Sequence, residues 1–131
     1  PLERAPRALP TPTTQDAIAH AAVTTAEHLG AKAIIALTNS GGTARLVSKY
    51  RPRMPILGAT PIPRAVGQLS LLWGVAPLSV ATHTTEEALL ADCFAAAKAK
   101  GLLAPGDTVV VTSGQLGVTG TTDRVRVRAV P

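Results

Sequence analysis

Tyr50, Trp73 and Phe94 are the only aromatic residues in a chain whose residues are nevertheless 46% hydrophobic. A core of any size must therefore be filled by Ala, Val, Leu and Ile. Such small aliphatic side chains suit helices layered on a parallel sheet, where strands are buried on both faces and read as short unbroken apolar runs. The 131 residues suffice for one domain with a real core and are too few for two. Charged residues, at 16%, are too sparse for a disordered polyelectrolyte.

Apolar runs of this kind recur between helical stretches. Residues 1–13 hold Pro1, Pro6, Pro10 and Pro12 without a hydrophobic period, which is the composition of a linker or tail. The domain proper is expected over 14–131. Thr14 can cap a helix whose residues Ala17, Ile18, Ala21, Ala22, Thr25 and Leu29 share one stripe, with Gly30 as its stop signal. Lys32–Leu37 has the length of a buried parallel strand. A helix over Thr43–Tyr50 is broken by Arg51-Pro52, and a strand over Pro55–Ala59 is followed by a short helix over Pro61–Gln68 with proline in its first turn. Gly74–Val80 reads as a third strand, with Pro77 marking a break or a sheet edge. Thr84 or Thr85 caps a longer helix that carries Glu86 and Glu87 at its positive end, Lys98 and Lys100 at its negative end, and Gly101 as terminator. Thr108–Thr112 is a fourth, buried strand, and Asp123–Val130 alternates as a last one. The order αβαβαβαββ predicts a mostly parallel open sheet covered on both faces. The loop before the last strand is long enough to let that strand return antiparallel.

In an open α/β sheet, ligands collect beyond the carboxyl ends of the strands. Thr38-Asn39-Ser40-Gly41-Gly42-Thr43 lies there, between a predicted strand and a predicted helix. Its glycines permit close backbone approach, and its hydroxyls join the free amides of the next helix as a cluster of donors suited to phosphate. The same residues also make a plain strand-to-helix turn, which needs Gly and a hydroxyl whether or not a ligand binds. The Gly-Lys-Ser/Thr ending of a P-loop is missing. Arg45, nearest this loop, is the cation placed to reach a bound phosphate. A second loop, Ser113–Thr122, falls on the same sheet edge. Its residues Gly114, Gln115, Gly117, Thr119, Gly120 and Thr121 read either as a mobile, donor-rich lid or as a flexible hairpin loop, and its position favours a shared site. Arg124, Arg126 and Arg128 alternate with Val125, Val127 and Ala129. They read as charges guarding an edge or solvent-facing strand, with a subunit contact or a share in an anion site as alternatives.

Charge narrows the partners. The net charge is +5, and no Asp or Glu occurs between Glu27 and Glu86, a stretch holding Lys32, Arg45, Lys49, Arg51, Arg53 and Arg64. That field suits anions, but aromatics to stack on bases are lacking, so no nucleic-acid partner is expected. His20, His28 and His83 make no metal spacing with Cys93 or with paired carboxylates, so no metal site is expected. No catalytic triad can be assembled either. Cys93, the single cysteine, reads as a small buried helix residue and fits a reducing, cytoplasmic setting. No apolar run reaches transmembrane length and the N-terminus has no signal-peptide core, so no membrane partner is expected. The first residue is Pro1 rather than Met, as in a processed chain or a piece of a longer one.

Several ordered motifs together carry a family resemblance. They are Thr14-Gln15-Asp16-Ala17-Ile18-Ala19, then Ile34-Ile35-Ala36-Leu37-Thr38-Asn39-Ser40-Gly41-Gly42-Thr43-Ala44, and Val47-Ser48-Lys49-Tyr50-Arg51-Pro52-Arg53-Met54-Pro55-Ile56. Leu72-Trp73-Gly74-Val75 and Gly106-Asp107-Thr108-Val109-Val110-Val111-Thr112 follow. From about Thr13 to the end, the chain resembles the C-terminal, effector-binding domain of pyruvate kinases, in a form closer to bacterial members. The resemblance implies a three-layer α/β/α sandwich with a five-stranded, mostly parallel sheet whose last strand is antiparallel. It implies that Thr38–Thr43 holds the phosphate of a sugar-phosphate or nucleotide effector, that the loop at 114–121 closes over it, and that the domain helps assemble a homo-oligomer. It also implies control of a separate catalytic barrel, the part that would bind phosphoenolpyruvate, ADP, magnesium and potassium and that has no counterpart here. No cofactor is thus expected on this domain. Gly42 stands where many members have a bulkier or charged residue, and Leu89 where fructose-bisphosphate-responsive animal enzymes carry an arginine for a second phosphate. These departures make a monophosphate such as ribose 5-phosphate or AMP as eligible as a bisphosphate.

The expected function is therefore a glycolytic regulatory domain. A purely structural assembly domain with a degenerate site is one alternative. A small phosphoester-processing enzyme is another, and it would need Asp107 or Glu86 folded into the site to supply a base.

Overall fold

The computed structural model describes residues 13–131. Residues 1–12, the segment read as a linker, lie outside them. The first helix, α1 (Thr14–Leu29), starts at the residue expected to cap it. Thr13 is the N-cap, and its hydroxyl accepts from the Asp16 amide at 3.1 Å. Gly30 ends the helix in the left-handed region, φ 63°, as its position after the last turn requires. Of the expected stripe only Ala22 is buried. Ala19, Ala22, Val23 and Ala26 face the sheet, while Ala17 and Ala21 are exposed and Leu29 is 53% exposed. In an alanine-rich helix two stripes satisfy the same spacing, and the small residues let the helix approach the sheet more closely than Leu29 would.

Strands and helices then alternate as β1 (Ala33–Leu37), α2 (Gly42–Lys49), β2 (Ile56–Thr60), α3 (Pro63–Leu69), β3 (Val75–Ser79), α4 (Glu86–Ala99), β4 (Thr108–Ser113) and β5 (Arg124–Ala129). The strands form a single sheet of order β3-β2-β1-β4-β5. β1, β2, β3 and β4 run parallel, with Ile35 facing Leu57 on one side and Val111 on the other. β5 pairs antiparallel with β4, Arg126 opposite Val111. Pro77 sits in β3, an edge strand, where a missing amide donor is tolerated.

Alternation along β1 sends Ile34 and Ala36 to one core and Ala33, Ile35 and Leu37 to the other. The first core packs α1, α2 and α3 onto the sheet, and the second packs α4, through Leu90, Cys93, Phe94 and Ala97. The result is the three-layer α/β/α sandwich. Gly58 in β2 is needed for close approach: a Cβ there would stand 3.0 Å from Leu69 Cδ2 of α3. Of the three aromatics only Phe94 is in the core. Tyr50 stacks on His20, and half-exposed Trp73 lies under the Arg51 guanidinium.

The arginines of β5 are not a free solvent-facing row. They face α4, where Arg126 meets Glu86, Arg128 donates to Glu87 at 2.6 Å, and Arg124 lies 3.8 Å from Glu86. The edge position was expected; the acidic first turn of α4 as their counterpart was not. Val125, on the opposite face, packs against the α1 side.

Candidate functional site

β1 delivers its last residue, Leu37, to the carboxyl edge of the sheet, and the turn to α2 is shaped by hydroxyls. The Thr38 amide donates to Ala59 O at 3.0 Å, while its Oγ1 accepts from the Gly41 amide at 3.0 Å. Gly41 adopts φ 93°, which strongly favours glycine, and lies buried beneath the turn. From below, fully buried Thr60 donates to Asn39 O at 2.9 Å and accepts from the Ile62 amide at 3.1 Å, which locks this turn to the next one along the edge.

α2 begins without a side-chain cap. Its first internal bond runs from the Arg45 amide to Gly41 O at 2.9 Å, so the amides of Gly42, Thr43 and Ala44 have no carbonyl to reach within the helix. α1 and α4, by contrast, are capped by Thr13 and Thr85. The uncapped amides carry the positive end of the α2 dipole.

These groups open onto a cavity of about 620 Å³ at the carboxyl edge of the sheet. Thr38, Asn39, Ser40, Gly42, Thr43 and Arg45 line it on one side. Gly114, Gln115, Gly117, Thr119, Gly120 and Thr121 line it on the other, so both predicted loops meet here and Gly41 alone stays outside the wall. A 2.6 Å hydrogen bond between the hydroxyls of Thr43 and Thr122 joins the two sides.

The second loop is braced from within. Thr121 Oγ1 accepts from the Gln115 amide at 2.9 Å and donates to Val118 O at 2.8 Å, so this hydroxyl holds the loop rather than facing a ligand. At its neck the Asp123 amide donates to Ser113 O at 3.1 Å, and Arg124 donates to Gly114 O at 2.7 Å. A Cβ on Gly114 would stand 2.3 Å from Thr121 O, so only glycine fits there. Gly120 rests against Gln15, whose Nε2 would be 3.1 Å from an added Cβ.

Several wall residues were not anticipated from sequence. Gln15 arrives from α1, Pro61 from the β2–α3 turn, and Ala81, Thr82, His83 and Thr84 from the β3–α4 turn. The carboxyl-edge rule that singled out two loops applies equally to the ends of β2 and β3 and would have found the last two groups. Ser113, 2% exposed, also lines the cavity, and its Oγ is buried without a hydrogen-bond partner among the described residues.

The polar half of the wall is complemented by an apolar one of Leu37, Leu46, Leu89, Leu116 and Val118. Leu89 is 6% exposed and belongs to the α4 core. Glu86 reaches the wall, but Arg126 and Arg124 hold its carboxylate, which leaves Arg45 as the exposed cation of the lining. Asp107 is elsewhere, capping the α4–β4 turn through the Ala104 amide at 2.8 Å. His83 Nε2 lies 2.9 Å from Asp92 Oδ2, which also accepts from the Ala81 amide at 2.9 Å. The His83 hydrogen bond, then the one from Ala81, holds the Asp92 carboxyl below the usual carboxylate range. Among the described residues no three His, Cys, Asp or Glu side chains gather as a metal site, and no helix is long and apolar enough to cross a membrane.

An open, three-layer α/β domain with a cavity at the carboxyl edge of its strands is the class that fold and site define. The pyruvate kinase alpha/beta domain model matches residues 16–128. Pyruvate kinases of Staphylococcus aureus strains USA300 and NCTC 8325 / PS 47 are each 40% identical to this chain over 107 residues. Those residues cover 81% of this chain and 18% of the relatives' length. The chain belongs to the pyruvate kinase alpha/beta-domain family.

Proposed function

We propose that this chain is the regulatory domain of a pyruvate kinase, binding a phosphorylated metabolite in the carboxyl-edge cavity and contributing to oligomer assembly. On this reading it acts beside a catalytic barrel of the same glycolytic, cytoplasmic enzyme. The observation that carries the reading is the start of α2: amides left without a cap, ringed by Thr38, Ser40 and Thr43, at the mouth of a cavity of metabolite size. The unpartnered Ser113 hydroxyl and the exposed Arg45 on the same wall support it. Gly42 leaves the seat open without weakening the turn, since an added Cβ would meet only Ser40 Oγ, at 3.6 Å. Neither acid that the enzyme alternative called for is free to serve as its base, because Glu86 is held by arginines and Asp107 caps a distant turn.

The test is a thermal-melting titration with a panel of sugar phosphates and nucleotides against sulfate. A specific ligand raises the melting temperature progressively as its concentration exceeds Kd, with a stabilisation of about 2.7 kcal/mol at a hundred times its Kd. S40E places a carboxylate beside the seat and should abolish the response while leaving oligomeric state unchanged. A panel that does no better than sulfate, or an S40E variant that responds like wild type, defeats the proposal.

A further inference from the structure

Among the described residues His83 is the one imidazole on the cavity wall, and it is built in rather than loosely placed. Its Nε2 is fixed by Asp92 at 2.9 Å, and Asp92 is in turn fixed by the Ala81 amide. Because the ionised carboxylate can only accept, Nε2 carries the hydrogen, and the neutral imidazole presents a bare lone pair at Nδ1. Nδ1 makes no hydrogen bond to any described residue. A lone pair repels an anion, whereas a protonated Nδ1 donates to it with full charge.

We infer that His83, oriented by Asp92, is a second contact for the anionic ligand and couples ligand binding to uptake of one proton. This rests on the reading of the cavity as an anion site. The other charged groups facing the cavity are Arg45 on α2 and Glu86 on α4, with Asp92 behind the imidazole. Neither lining loop adds a titratable side chain. Glu86 is held by Arg126 and Arg124, which leaves His83 as the ionisable group of the wall without a cationic partner. The site binds a dianion most tightly when the imidazole is charged, and its affinity falls as the pH rises and the proton has to be supplied from solution. The ligand site is thereby a sensor of acidity as well as of concentration.

Sulfate is the probe, because its own charge is constant between about pH 5.5 and 8.5, the range in which an imidazole titrates. Binding is followed by NMR shifts of the Ser40, Gly42 and Thr43 amides. In wild type the dissociation constant should rise about tenfold across that range, the worth of one charge-assisted hydrogen bond. H83Q should bind at every pH with the weak affinity that wild type shows at the alkaline end. D92N, which keeps the imidazole but removes the carboxylate that favours its charged form, should displace the response to lower pH. Sulfate that leaves those amides unmoved at every pH overturns the anion site and this inference with it. Sulfate that binds wild type equally at all pH values, or an H83Q variant that keeps the pH response, overturns the inference alone.

Discussion

Gly114→Ala is a severe test of how the cavity is closed. Gly114 is not in the left-handed region, so the cost of a methyl group there is purely steric. Its Cβ would lie 2.3 Å from Thr121 O, 2.4 Å from Thr121 C and 2.6 Å from Thr122 N, all backbone atoms with no rotamer to escape into. Ordinary C···O contacts begin at about 3.3 Å, so the loop neck must open by about 1 Å. That movement breaks the bonds from the Gln115 amide to Thr121 Oγ1 and from the Asp123 amide to Ser113 O. At about 1 kcal/mol each the loss is about 2 kcal/mol, within the usual range for overpacking. For a domain of this size it corresponds to a fall in Tm of about 8 °C. Urea unfolding at constant m-value measures the loss. Since Thr122 moves with the neck and its hydroxyl holds Thr43 at 2.6 Å, the response to phosphorylated ligands should weaken as well. Gly117→Ala is the control: no atom lies within 4 Å of its Cβ, and only its φ of 77° is strained, so it should lose about 1 kcal/mol and keep the neck closed. A G114A protein that loses less than about 0.5 kcal/mol and keeps its ligand response would refute the steric argument.

Two further predictions concern ionisation. Hydrogen bonds from Lys49 at 2.7 Å and Tyr50 at 2.9 Å hold the Asp16 carboxyl below its usual range and tie α1 to the end of α2. A lowered native pKa stabilises the fold above the unfolded-chain value of about 3.9, and that contribution disappears as pH falls through the native value. Asp16→Asn should therefore melt below wild type at neutral pH, and the gap should close on acidification; a constant gap would count against the carboxylate's part in it. Burial pushes the Cys93 thiol up to about 12, so Ellman's reagent near neutral pH should find no reactive thiol in the native protein and one after unfolding in urea.

Much of the fold was legible because short apolar runs, Gly stops and hydroxyl caps are local signals. Gly30, Pro63, Thr85 and Gly101 all stand where turns and caps demand them. The α1 stripe was misread apart from Ala22, for a local reason too: Ala19 and Ala26 are no more hydrophobic than Ala17 and Ala21, so periodicity alone does not choose between the two faces. The arginine row of β5 was legible as an edge device, yet its partners Glu86 and Glu87 lie some forty residues earlier. Nothing in the spacing links them.

The loops Thr38–Thr43 and Ser113–Thr122 could be assigned to one sheet edge from sequence, because a parallel strand must deliver its carboxyl end there. The sparse aromatics likewise dictated an aliphatic core, as the buried Ile, Leu, Val and Ala residues bear out. What only the tertiary structure decided is the company those loops keep. The cross-cavity bond from Thr43 to Thr122 and the neutralisation of Glu86 by the β5 arginines depend on which elements the fold sets side by side. The Thr43–Thr122 and Arg126–Glu86 contacts join residues remote in sequence, and a hydrogen bond a few ångströms long has no period for a sequence to reveal.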